Sequence, residues 1–131
     1  MKIEVAREAL ETMVADAAQS APREACGLLL GHGMRVAGAQ PAGNVALEPN
    51  RHFEIDPQAL IDAHRASRGG GPELLGYYHS HPEGPLEPSA TDREHAAGDG
   101  RIWAIVAHGM VRFWRDGEAG FEPLSYLLVD A

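Results

Sequence analysis

The sequence predicts an α/β or α+β sandwich with a mixed β-sheet flanked by helices. Three observations predict it. One stretch near the N-terminus carries an apolar stripe at helical spacing. Several apolar runs are too short for helices and are bounded by glycine or proline. Two pairs of such runs follow one another across a short glycine turn, as hairpin strands do. At 131 residues the chain has the usual size of one domain, so residues 1–131 read as a single unit.

Over residues 5–18, Leu10, Met13, Val14, Ala17 and Ala18 line one face of a helix, and Pro22 stands just past its end. Glu24 then opens Ala25-Cys26-Gly27-Leu28-Leu29-Leu30-Gly31, a short apolar run that reads as a buried strand. A turn at His32-Gly33 leads to a second, weaker strand over 35–40. Residues 41–51 are rich in turn formers and read as loop. Phe53-Glu54-Ile55 alternates like a short strand. Asp56-Pro57 looks like an N-cap and first helical turn, for a helix running to about Ser67. Residues 68–72 break that helix and form a flexible connection. The apolar run 74–78 enters His79-Ser80-His81, a helix is expected over 90–97, and 102–107 and 110–115 form a hairpin. A last strand falls near 125–129.

Composition narrows the partners. The net charge is -8 with histidine neutral, and no cluster of lysine and arginine occurs. Nucleic acid and anionic membrane both need a basic footprint, so neither is expected as a main partner. Cys26 is the single cysteine; it excludes an intrachain disulfide and fits a reducing compartment. The first eight residues hold early acidic groups and no apolar core of a secretory signal. No apolar run nears the roughly 20 residues of a membrane span, so a cytoplasmic setting is expected.

The chemistry gathers around His79 and His81. On a strand, residues two apart share a face, so both imidazoles point the same way while Ser80 points the other. Ser89 and Asp92, at a helix start, form a Ser-x-x-Asp capping box, which alone accounts for both. The cap also fixes the carboxylate in space, where it can serve as a third ligand beside the two imidazoles. Two histidines and one aspartate leave a fourth zinc position for water, the mark of a catalytic site. A hydrolase also needs a base. Glu24, Glu54, Asp56, Glu83 and Glu87 are the candidates, and spacing does not choose among them. Asp56 is expected as a cap, and Glu83 and Glu87 lie in a loop that reads as mobile. Glu24 is better anchored, although from the residues alone a solvated strand-end charge is the stronger reading. Cys26 inside an apolar strand reads as packing, and Trp103, Phe113 and Trp114 as core or sheet-surface aromatics.

The pattern H-x-H-P-x6-S-x2-D, from His79 to Asp92, resembles the signature of the JAB/MPN metalloproteases, also called JAMM proteases. Glu24-Ala25-Cys26-Gly27-Leu28-Leu29-Leu30-Gly31 resembles that family's glutamate-bearing strand, and Asn44 with Arg51 to Pro57 is similar to its middle segment. The likeness implies a cytidine-deaminase-like α/β sandwich holding one Zn2+. It implies His79, His81 and Asp92 as ligands, Glu24 as general acid/base and Ser89 as donor to the developing oxyanion. The reaction implied is hydrolysis of an amide or isopeptide bond. The chain looks like the compact prokaryotic members, which are associated with ubiquitin-like sulfur-carrier proteins ending in Gly-Gly. Such a tail is expected as an extra strand against a sheet edge. A non-catalytic binding module is the alternative. A small-molecule deaminase ranks below both, because the H-x-E and P-C-x-x-C ligand pattern is absent.

Overall fold

The structure, a computed structural model, describes residues 2–130. Its elements are β1 (Lys2–Ala6), α1 (Arg7–Ser20), β2 (Cys26–His32), β3 (Arg35–Ala42), α2 (Pro57–Arg68), β4 (Glu73–Ser80), α3 (Ala90–His95), β5 (Ile102–Ala107), β6 (Met110–Gly117) and β7 (Gly120–Val129). The mixed sheet and its flanking helices match the sequence reading. The ends of the sheet meet, however. The order is β1-β3-β2-β4-β5-β6-β7, and β7 returns to pair in parallel with β1, so a closed barrel stands where an open-edged sandwich was expected.

The closing strand is the one the sequence reading lacks. In β1, Ile3 and Val5 are buried while Lys2 and Glu4 are exposed, a period-2 pattern too brief to stand out. It runs into α1 without a turn residue, so the helix starts at Arg7 rather than at position 5. Closure pairs the two ends of the chain, from Lys2 with Ser125 to Ala6 with Val129, and local periodicity carries no trace of such a partner.

All seven strands and α1 contribute to one cluster on the inner face. It holds Ile3, Val5, Ala9, Met13, Leu29, Val36, Tyr78, Ala104, Val106, Phe113 and Leu124. The predicted stripe of α1 supplies the helical share, and burying a side chain such as Met13 is worth about 1.5–3 kcal/mol. Tyr78 donates its hydroxyl to Asp16 Oδ2 at 2.7 Å and so ties β4 to α1. The outer face is covered by α2, where Ala63 packs with Cys26, Leu28, Ile55 and Leu74. Asp56 caps α2 as predicted, accepting the Gln58 N–H at 3.0 Å with Pro57 in the first turn.

Smaller departures have local causes. β3 continues through Pro41 to Ala42, because β1 pairs with only Arg35 and Val36 and leaves the rest of that edge without a ladder for proline to break. The strand expected at 53–55 shrinks to one bridge, Asn44 with Ile55, since the Asn44 side chain takes the Glu54 N–H at 3.1 Å. The connection after α2 is a bonded turn, with Gly71 N–H donating to Ala66 O at 2.9 Å. Gly76 allows β4 to press against β5: a Cβ there would collide with the Ile102 carbonyl oxygen. Trp103, Phe113 and Trp114 are all buried. Among the described residues, no helix is long and apolar enough to cross a membrane.

Candidate metal centre and catalytic cleft

β4 delivers the histidines. His79 lies in register with Cys26 of β2 and Ile105 of β5, and its side chain is fully buried on the outer face. His81 stands one residue past the strand end, yet its N–H still donates to Val106 O at 2.8 Å, so the ladder with β5 holds it. Ser80 faces away from both rings, as alternation requires. Its Oγ accepts the Ala25 N–H at 2.7 Å, which locks the segment carrying Glu24.

α3 delivers Asp92, and the capping box forms. Asp92 N–H donates to Ser89 Oγ at 3.0 Å, and Ser89 N–H donates to Asp92 Oδ2 at 2.8 Å. The helix ends at His95, two residues short of the expected end. The same Oδ2 lies 3.1 Å from His79 Nε2 and 3.2 Å from His81 Nε2, and the two Nε2 atoms are 3.0 Å apart. Ligands at about 2.0–2.1 Å in a tetrahedron stand about 3.3 Å from one another, so these three atoms nearly trace one face of a zinc polyhedron. The set thus fits a divalent metal, and the cap that fixes Asp92 is compatible with ligation.

The two rings are oriented differently. His81 Nδ1 donates to Pro85 O at 2.7 Å; a carbonyl can only accept, so in the neutral ring Nε2 carries the lone pair that a metal needs, while the charged ring of the metal-free site donates to Asp92 from Nε2. Among the described residues, His79 Nδ1 is buried without a hydrogen-bond partner. Its ring is stacked on Phe53, with centroids 4.2 Å apart and planes 16° from parallel. Burial lowers the pKa of His79. Burial also opposes charge on His81, but hydrogen bonds to Asp92 and Pro85, with the charges of Asp92 and Glu24, leave it raised. Burial would raise the Asp92 carboxyl, yet the hydrogen bonds from both histidines hold it well below the usual carboxylate range.

Glu24 precedes β2 and is buried. Its N–H donates to Pro49 O at 2.7 Å, and its carbonyl accepts from Asn44 Nδ2 at 3.0 Å. Its carboxylate and the ligand nitrogens of His79 and His81 lie within 4.8 Å of one another. That spacing also permits Glu24, rather than Asp92, as the third ligand. The Asp92 distances fit a tetrahedral edge, whereas the Glu24 group is bounded only by 4.8 Å, so both carboxyls stand as candidate third ligands. Burial pushes the Glu24 carboxyl up to about 7, with His81 opposing and Asp92 adding to the shift. Of the other candidate bases, Asp56 is a helix cap and Glu54, Glu83 and Glu87 are exposed.

Glu24, His81 and Ser89 line one cleft of about 470 Å³, together with Pro22, Arg51, Glu83 and Pro85. The loop at 83–88, expected to be mobile, is pinned. Gly84 N–H donates to His81 O at 2.8 Å, and Trp114 Nε1 donates to Leu86 O at 3.3 Å, beside the His81–Pro85 bond. Cys26 is a packing residue: burial, then the charges of Asp16 and Glu24, push its thiol up to about 12. The sequence reading assigned no part to Phe53 or Ser80 and met Asn44 only within a family likeness. Asn44 donates to the carbonyls of Glu24 and His52 and accepts from Ala46 and Glu54 N–H, a role no local pattern announces.

Residues 6–117 match the family described as prokaryotic homologs of the JAB domain. A desampylase from Haloferax volcanii is 36% identical over 112 residues, spanning 81% of this chain and 81% of that protein. A probable TtuB-protein conjugate cleaving protease from Thermus thermophilus is 39% identical over 92 residues, 70% of this chain and 62% of that protein. A solved structure of a protein from Desulfitobacterium hafniense has a TM-score of 0.86 at 29% identity, covering 100% of this chain and 94% of its own.

Proposed function

Because the chain belongs to the family of prokaryotic JAB-domain homologs and is a hydrolytic peptidase or isopeptidase, we propose that it cleaves ubiquitin-like or sulfur-carrier conjugates at the amide bond after Gly-Gly. The observation that carries this reading is the convergence of three ligand atoms within 3.2 Å of one another, beside a cleft lined by Glu24 and Ser89. The names of two relatives, one a conjugate-cleaving protease, support a protein conjugate as substrate. The family's hydrolytic relatives set aside the non-catalytic binding module. The same reading carries a cytidine-deaminase-like layering, supported by α1 and α2 packing on opposite faces of one mixed sheet. It also carries a cytoplasmic setting, which suits the free, buried Cys26.

In this reading His79, His81 and Asp92 would hold a zinc ion, matching the nitrogen-rich, one-carboxylate donor set of catalytic zinc sites. When bound, zinc supplies Lewis acidity, lowering the pKa of a water to about 7 and polarising a carbonyl. Glu24, near neutrality in its buried position, takes a proton from the attacking water. It returns that proton to the amine nitrogen as the C–N bond breaks. Ser89 Oγ already accepts from Asp92 N–H, so its own hydroxyl proton is directed to the oxyanion. Among the described residues, the edge of β3 beyond Val36 carries no partner strand, and in this reading the Gly-Gly tail reaches the cleft either directly or as an added strand.

Incubating the protein with a Gly-Gly carrier conjugate and following intact mass tests the reading. Free carrier ending in Gly-Gly is expected, and a chelator should abolish its release. If no Gly-Gly conjugate is cleaved in a metal-dependent way, the substrate assignment fails.

A further inference from the structure

We infer that Phe53 is a positioning residue, whose ring orients the His79 imidazole where no hydrogen bond does. The inference rests on the reading of His79 as a metal ligand. A ligating histidine usually donates its second ring nitrogen to a carbonyl or carboxylate, and that bond sets the plane of the ring. His81 follows this rule through Pro85. His79 does not: among the described residues its Nδ1 is buried without a hydrogen-bond partner. What lies against the ring instead is Phe53, 4.2 Å away and 16° from parallel. Trp103 stands edge-on to both, at 5.8 Å from His79 and 5.9 Å from Phe53, so the three rings form one block.

The backbone around Phe53 is fixed with matching care. Asn44 Nδ2 donates to His52 O at 3.0 Å on one side, and Asn44 Oδ1 accepts Glu54 N–H at 3.1 Å on the other. The peptide groups before and after Phe53 are therefore held by one side chain. That same side chain donates to the Glu24 carbonyl, so Asn44 couples the stack on His79 to the placement of the base. Removing the ring leaves space beside His79 into which the imidazole can tilt. A tilt displaces Nε2 from the ligand triangle, and metal sites tolerate little such error.

Zinc affinity of the full chain, measured by competition with a chromogenic chelator, tests this. Wild type should bind about one zinc. Phe53→Leu should bind about 10–100-fold more weakly, the usual effect of losing a partner of a metal ligand. Its kcat should fall with KM little changed, and Phe53→Tyr, which keeps the ring, should restore wild-type affinity. Phe121→Leu is the control. Phe121 packs on Trp103 at 4.9 Å, and its loss removes similar aromatic contact away from His79, so affinity should not change. Wild-type affinity in Phe53→Leu, or equal weakening in Phe121→Leu, overturns the inference and leaves the metal reading intact. A wild type that binds no zinc overturns both. Should Phe53→Leu fail to fold, NMR of the zinc-loaded wild type decides. The stack predicts upfield ring-current shifts of the His79 ring protons, and their absence overturns it.

Discussion

The two sides of the site are built by opposite means. The proposed ligand wall, His79, His81 and Asp92, comes from one stretch of chain: a strand end, a pinned loop and a capped helix. The base wall, Glu24, sits in a short connection before β2 and is held by Pro49, Asn44 and, through Ala25, Ser80. The difference extends to charge. Asp92 is ringed by donors and stays ionised well below the usual carboxylate range, whereas burial lifts Glu24 to about 7. Two carboxyls in one site are pushed apart by their surroundings, and under the proposed reading they would divide the work into holding a cation and moving a proton.

Breaking either wall should separate those tasks. The largest effect belongs to Asp92→Ala, which should lose the metal and all measurable hydrolysis, checked by metal content and conjugate cleavage. Glu24→Gln should keep the metal and lose about 10²- to 10⁴-fold in kcat. Ser89 caps α3 and is proposed to donate to the oxyanion, and Ser89→Gly separates the two duties. Glycine at an N-cap costs only a few tenths of a kcal/mol, while loss of the oxyanion donor should lower kcat about 10²- to 10³-fold. Thermal melting beside steady-state kinetics reads both.

Two smaller effects sharpen the base wall. Asn44→Ala leaves part-buried backbone groups around Glu24 and Phe53 unpaired and should cost about 1–3 kcal/mol in denaturant unfolding. The last effect is a pH dependence of the metal-free protein. The folded pKa of Glu24, about 7, exceeds its ordinary 4.5, so the folded state binds more protons between these values. Its stability therefore falls as pH rises through that window, by up to about 3 kcal/mol. Glu24→Gln should remove that fall and be more stable than wild type at pH 8. Asp92 works in the other direction: its contribution is present above the ordinary carboxylate range and is lost only as pH drops below it.

How legible each part was follows from the same contrast. The geometry of the His79–Asp92 stretch was readable because strand alternation and the capping box act over a few residues, and both formed as the pattern implies. Residue spacing left Glu24 as one of five candidates; only family likeness singled it out, because long-range bonds place it. Asn44 and Phe53 escaped for that reason too. A loop asparagine and a lone aromatic show nothing locally of five hydrogen bonds or a stacked imidazole. β1 and the barrel closure escaped because they depend on pairing between the chain's two ends.

The division between the walls can be tested by zinc stoichiometry in Asp92→Ala and Glu24→Gln, purified beside wild type. One zinc in wild type and in Glu24→Gln, and none in Asp92→Ala, is the result expected. Zinc retained without Asp92 and lost without Glu24 would contradict it, and would make Glu24 the third ligand beside His79 and His81.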